Sequence, residues 1–153
     1  MNTQNKKKLI IGIGNEGRGD DGLGWRFAER VENLSSPEYD VEYRHQLQVE
    51  DAELVSKYDY IIFADATVET LDKGFDFSAC DLNCEYFFSS HTQNPVAVLR
   101  LANILFKKLP DAFVMRICGH EWDMGLGLSE AAQKNLENAF VFLEKIVSPH
   151  LRS

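Results

Sequence analysis

The chain has 153 residues, 44% of them apolar, and a formal net charge of −8. That length suits one domain, residues 1–153, with enough apolar side chains for a packed core. The acidic balance excludes the basic face of a nucleic-acid binder, and the one basic run, Lys6-Lys7-Lys8, reads as a solvated lead-in to a strand.

The first apolar run, Leu9 to Ile13, has the character of a strand buried on both faces, and it opens into the glycine-rich turn Gly14 to Gly24 with the adjacent carboxylates Asp20 and Asp21. It is too short for a signal segment or a membrane span, so no membrane partner is expected. Leu23, Phe27, Ala28, Val31 and Leu34 recur at helical spacing and predict a helix over 21–33, stopped by Ser35-Ser36-Pro37. A second strand over 41–45 and a short helix over 49–57 follow. A third strand, 58–64, ends at Asp65. After a turn at 72–74, a strand lies within 75–86. Pro95 suits the first turn of the next helix, with Asn94 as N-cap, running to Lys108. Residues 112–118 form another strand, and 129–147 a closing helix capped by Ser129, with Leu136, Ala139, Phe140, Leu143, Ile146 and Val147 inward. This alternation predicts an α/β fold, a mainly parallel twisted sheet with helices on both faces. Cys80, Cys84 and Cys118 contain no CxxC pair, which fits a reducing, cytoplasmic setting and packed thiols.

In open α/β sheets the ligand crevice lies beyond the carboxyl ends of the strands. The residues predicted there are Asn15, Asp20 and Asp21 after the first strand, His45 and Gln46 after the second, and Asp65 after the third, with His91, His120 and Glu121 in later loops. Neighbouring carboxylates repel unless a cation, a proton or solvent relieves them. One of Asp20 and Asp21 can cap the helix that follows and meet its dipole; the other is left for chemistry. Carboxylates and imidazoles together suit a divalent cation, and the mixed oxygen and nitrogen donors favour nickel or zinc over calcium. The plain structural alternatives are an Asx-turn at Asp65 and ordinary exposed loop positions for His45, His91, His120 and Glu121.

Gly12-x-Gly14-x-x-Gly17 matches a dinucleotide fingerprint in form, which makes a nucleotide-binding Rossmann-like module an alternative. Against it, Arg18 to Asp21 intervene before the helix and set two negative charges where phosphates would bind, and the second strand ends in His45-Gln46 with no acidic residue.

Four segments resemble the nickel-iron hydrogenase maturation endopeptidases: GIGNEGRGDDGLG at 12–24, FADA at 63–66, SSHTQNPVAVL at 89–99 and GHEWDMGLGLS at 119–129. The resemblance implies an endopeptidase that removes the C-terminal extension of a hydrogenase large-subunit precursor. It places the metal ligands on Asp21, Asp65 and His91. The nickel would arrive in the precursor and act as a checkpoint for loading, and other divalent metals could occupy the same donors. Two carboxylates and one imidazole leave positions open for substrate donors, and a metal there can polarise a carbonyl or activate water. No other nucleophile stands out: Cys118 falls inside a strand, and Ser89 and Ser90 have no recognisable triad. Asp20 is expected as cap or support, and Asn15 with the amides near Gly14 as substrate-orienting groups. Many members carry a Gly-Gly-Thr turn after the second strand. This chain reads HQLQVEDAELV, nearer a branch whose turn begins His-Gln-Leu, so His45, Gln46 and Glu50 are expected to meet the precursor, with His120 in the same outer set. A rival reading from another class is a non-catalytic, nickel-dependent binding or escort protein for the large subunit.

Overall fold

Strand β1 (Lys8–Ile13) buries Ile10 on one face of the sheet and Leu9 and Ile11 on the other, because successive side chains of a strand point to opposite sides. Strand β3 (Tyr60–Thr67) repeats this, with Ile62 and Ala64 on the first face and Ile61 and Phe63 on the second. Ile10, Ile11, Ile62 and Phe63 have 0% exposure, and each such side chain contributes about 1.5–3 kcal/mol. The computed structural model describes residues 6–34, 38–82, 94–125 and 127–152.

Between these strands lie α1 (Leu23–Glu32), β2 (Tyr39–Arg44) and α2 (Asp51–Val55). After β3 come β4 (Phe75–Ala79), α3 (Pro95–Phe106), β5 (Asp111–Cys118) and α4 (Glu130–Arg152). The five strands form one sheet in the order β2-β1-β3-β5-β4; all neighbours are parallel except β4 with β5. Helices α1 and α4 cover the first face through Leu23, Phe27, Leu136 and Phe140, while α2 and α3 cover the second through Val55, Val98 and Leu99. This is the expected α/β architecture.

The strand order fixes where a crevice forms. From β1 the chain passes over one face through α1 to β2, then over the other through α2 to β3, which lies on the opposite side of β1. The connections therefore part company between the carboxyl ends of β1 and β3, the topological switch point where α/β sheets bind ligands.

Several boundaries differ from the sequence reading. Strand β3 does not stop before Asp65; it continues to Thr67 because β5 offers ladder partners up to Thr67 opposite Cys118. The first helix starts with a single 3-10 turn, Gly19–Gly22, ahead of α1. Helix α2 is confined to five residues, and Val49 is 52% exposed outside it. Helix α3 stops at Phe106, where Lys107 turns left-handed with φ 58°. Ile146 is 36% exposed, at the outer margin of α4 and not inside it. The two caps form as read: Asn94 Oδ1 accepts from Ala97 N at 2.9 Å, and Ser129 Oγ from Ala132 N at 3.1 Å. The strand expected within 75–86 is β4; residues 83–86, like Ser35 to Pro37, lie outside the described residues.

Candidate active site

The turn after β1 is wound tightly around Asp21. Gly14 has φ 139°, and a Cβ there would lie 2.1 Å from the Asp21 carbonyl oxygen, so glycine is required on both counts. Asn15 N donates to that carbonyl and to Asp21 Oδ2, each at 3.1 Å, while Asn15 Oδ1 accepts from Gly17 N at 2.8 Å. The Asn15 carbonyl side of its amide thus serves the turn itself. Gly24 brings the start of α1 onto the strand ends: a Cβ there would meet the Ala64 oxygen at 2.3 Å and the Ile13 oxygen at 2.5 Å.

Asp20, next in sequence, faces the opposite way and is fully buried at 0% exposure. Its Oδ2 accepts from His120 N at 2.7 Å, Glu121 N at 2.9 Å and Ser129 Oγ at 2.8 Å, and its Oδ1 from Ser129 N at 2.8 Å. Burial alone would raise its pKa, but these donors outweigh that and hold it below the usual carboxylate value. Asp20 therefore fastens the turn after β1 to the loop after β5 and to the cap of α4.

Asp65 shares the face of Ile61 and Phe63 by strand parity, so it lies on the α3 side. It is half-buried, and its Oδ1 accepts from its neighbour Ala66 N at 2.8 Å. Burial pushes its carboxyl up to about 7, with the charge of Asp21 adding to the rise and the Ala66 amide opposing it. Asp21 is raised as well, chiefly by burial, against the Asn15 amide and the charges of Arg18 and His45. The charge of Asp21 thus reaches Asp65 across the switch point. Neighbouring carboxylates that are both raised favour relief of their charge by a proton or a cation.

A cleft of about 320 Å³ adjoins Asp65, lined among others by Ser78, Cys80, Asn94, Val114 and Arg116. Arg116 is the register partner of Asp65 on β5, yet its guanidinium bonds to Glu69 at 2.8 Å and Asp76 at 3.2 Å. Cys80 contributes a thiol that burial pushes up to about 11, a protonated wall group at neutral pH. Sequence reasoning did not single out Arg116. The parity of β5 would place it beside Asp65 once the β3–β5 register is known.

The remaining predicted residues divide by place. His45 and Gln46 are exposed at the end of β2, on the Asp21 side, and the His45 ring lies edge-on to Trp25 at 5.3 Å between centroids. Glu50 is exposed at the N-cap position of α2 without a side-chain capping bond. His120 is exposed on the α4 side, its Nε2 3.5 Å from Asn135 Nδ2, away from Asp65. Glu121 contributes main-chain groups, its carbonyl accepting from Asp20 N at 2.7 Å. Cys118 is buried in β5. His91 and Cys84, with Ser89 and Ser90, lie outside the described residues. Among the described residues no three His, Cys, Asp or Glu side chains are grouped closely enough to hold a metal.

The fold of this chain is that of solved hydrogenase maturation proteases. The crystal structure of the [NiFe] hydrogenase maturation protease HycI from Thermococcus kodakarensis KOD1 matches with a TM-score of 0.68 and 22% identity, over 92% of this chain and 90% of that one. The hydrogenase maturating endopeptidase HybD from E. coli matches with a TM-score of 0.68 and 16% identity, over 94% and 93%. HybD from Thermococcus kodakarensis gives 0.66 and 20%, over 92% and 98%. No family model and no curated protein matches the sequence.

Proposed function

We propose that the chain is an endopeptidase that removes the C-terminal extension of a nickel-loaded nickel-iron hydrogenase large-subunit precursor. The observation that carries this reading is the pair of half-buried carboxylates, Asp21 and Asp65, set against each other at the switch point beside a cleft of about 320 Å³. The same fold in HycI and HybD supports it.

In this reading Asp21, Asp65 and His91 engage the nickel that the substrate carries, and the substrate's own donors complete its coordination. The two carboxylates attract and orient the charged centre, and loading of the precursor becomes a condition of productive binding. The cleft next to Asp65 takes an extended stretch of substrate chain. Asp20 supports the site from beneath: its four hydrogen bonds fix the turn so that Asp21 keeps its direction. No helix among the described residues is long and apolar enough to cross a membrane, and the protein is proposed to act in the cytoplasm.

The test is to incubate the purified protein with a nickel-loaded precursor and follow the precursor's mass. Loss of the C-terminal extension is expected, with no loss from a nickel-free precursor. A stable complex that leaves the loaded precursor intact would replace the peptidase with the escort reading.

A further inference from the structure

The amino edge of the sheet lies at the other end of the strands from Asp21 and Asp65. There β1, β3 and β5 begin side by side, with Lys8 paired to Tyr60 and Tyr60 to Asp111. Along β3, Asp65 stands about 17 Å from Tyr60, at about 3.3 Å per residue. Helix α3 runs back to this edge, and its apolar side chains leave the core as it arrives. Val98, Leu99 and Ala102 are buried, whereas Ile104 is 65% exposed, Leu105 59%, Phe106 43% and Leu109 51%.

Lysines border this apolar tip. Lys108 Nζ lies 2.9 Å from Asp59 Oδ1, Lys7 donates its main-chain N–H to Asp59 Oδ2 at 3.0 Å, and the charge of Lys6 also helps to hold the Asp59 carboxyl below its ordinary value. Lys7 Nζ lies 5.6 Å from the centre of the Tyr58 ring, and the exposed Lys57 and Lys107 directly precede Tyr58 and Lys108 in the chain. The acidic groups at this edge are Asp59, Asp111, whose N–H donates to the Asp59 carbonyl at 3.0 Å, Asp40, which accepts from the Tyr58 hydroxyl, and Glu38, which is paired with Lys8. Lys6, Lys7, Lys57, Lys107 and Lys108 therefore stand against Asp40, Asp59 and Asp111, a local excess of positive charge in a chain whose net charge is −8.

Contiguous apolar side chains this exposed mark a contact surface, and the charge around them selects what they meet. A second copy of the chain does not suit, because apposing two such faces sets lysines against lysines. We propose that the tip of α3 rests on an anionic lipid surface, with Ile104, Leu105, Phe106 and Leu109 in the boundary of the acyl region and the lysines at the phosphates. Lysine stems can lie along the apolar groups while their ammonium ends stay among the headgroups. The sequence reading expected no membrane partner because no run is long enough to span; a surface contact needs no span and revises that expectation. The same surface repels the acidic remainder of the chain, so a single orientation is selected, amino edge down, with Asp21 and Asp65 turned towards solution. The contact does not depend on the reaction proposed for that site.

The experiment floats the full chain with vesicles of phosphatidylcholine, with and without phosphatidylglycerol, at low and high salt. Wild type is expected to partition into the anionic vesicles at low salt about tenfold more strongly than into phosphatidylcholine alone, and to be released by high salt. Ile104→Ser/Leu105→Ser and Lys57→Gln/Lys107→Gln are each expected to lower that partition about tenfold. These positions are exposed, Lys108 is left in place because it holds Asp59, and circular dichroism checks the fold; if the serine pair unfolds, Leu109→Ser, beyond the end of α3, takes its place. Absence of wild type from the anionic vesicles overturns the proposal and leaves the tip to an acidic protein partner. Equal partition into phosphatidylcholine alone, or full partition by either double variant, overturns it too. So does a lipid-free dimer that the serine variant converts to monomer in sedimentation, since a second copy then covers the tip. Cleavage of the precursor enters none of these readings, so the peptidase and the lipid contact stand or fall separately.

Discussion

Replacing Asp65 with Asn should make the protein more stable and remove its activity. In the folded state burial and the neighbouring Asp21 charge push the Asp65 carboxyl up to about 7, against an ordinary value of 3.8. Between those values the folded protein binds a proton that the unfolded chain has released. Stability therefore falls as pH rises from about 4 to about 7 and stays lowered above it. At 1.36 kcal/mol per pH unit the full displacement amounts to about 4 kcal/mol, and water reaching a half-buried carboxylate reduces this to about 2–3 kcal/mol. Asn has the same shape and keeps an oxygen for the Ala66 amide, now 2.8 Å from Oδ1.

The variant should accordingly gain about 2–3 kcal/mol over wild type near pH 8 and almost nothing near pH 4, while losing processing at every pH. Urea unfolding across this range, in buffer containing a chelator, measures the first effect. Cleavage of the nickel-loaded precursor measures the second. A stability difference that does not change with pH would refute the electrostatic account, and full processing by the variant would remove Asp65 from the site.

Asp20→Ala should cost about 3–5 kcal/mol by urea unfolding, because the part-buried amides of His120, Glu121 and Ser129 lose their acceptor; a cost below about 1 kcal/mol would refute the fastening role. Since the folded pKa of Asp20 lies below its ordinary value of 3.8, its contribution is present above that value and is lost as pH falls through the folded one, so the gap between wild type and Asp20→Asn should close on acidification. Gly14→Ala should cost about 3 kcal/mol or more and lower processing, since the new Cβ would lie 2.1 Å from the Asp21 oxygen in a backbone conformation at φ 139°; a wild-type melting temperature would contradict this. Asn94→Ala should lose about 1 kcal/mol, read by thermal unfolding, through the missing bond to Ala97 N. Asp21→Ala and His91→Ala should each abolish processing with the fold retained, and full activity in both would show that neither engages the metal.

What was legible in the sequence had causes that act locally or by simple period. Apolar runs buried on both faces marked β1 and β3, and Asn94 before Pro95 marked the start of α3, since a cap and a first turn need only a few neighbouring residues. The end of β3 was not legible. Residues 65–67 are strand because β5 lies alongside with partners as far as Cys118, and the sequence near Asp65 carries no trace of that register. Arg116 escaped notice for the same reason: its place beside Asp65 depends on a ladder between segments about fifty residues apart.

The adjacent carboxylates show how far such reasoning reaches. The repulsion between Asp20 and Asp21 could be read from the sequence, and so could the need for something to relieve it. How it is relieved could not, because the groups that neutralise Asp20 lie 100, 101 and 109 positions further along the chain. Once Asp20 is satisfied by donors on the α4 side, Asp21 is left with different surroundings: burial, the Asn15 amide and the Arg18 guanidinium, while its own charge raises Asp65. One carboxylate is stabilised as an anion and the other is raised towards neutrality. The difference is imposed by a single 3-10 turn that points consecutive side chains to different faces. One residue added to this turn would rotate the side chains by about 120°, at three residues per turn, and take Asp20 away from its donors and Asp21 away from the Asn15 amide together.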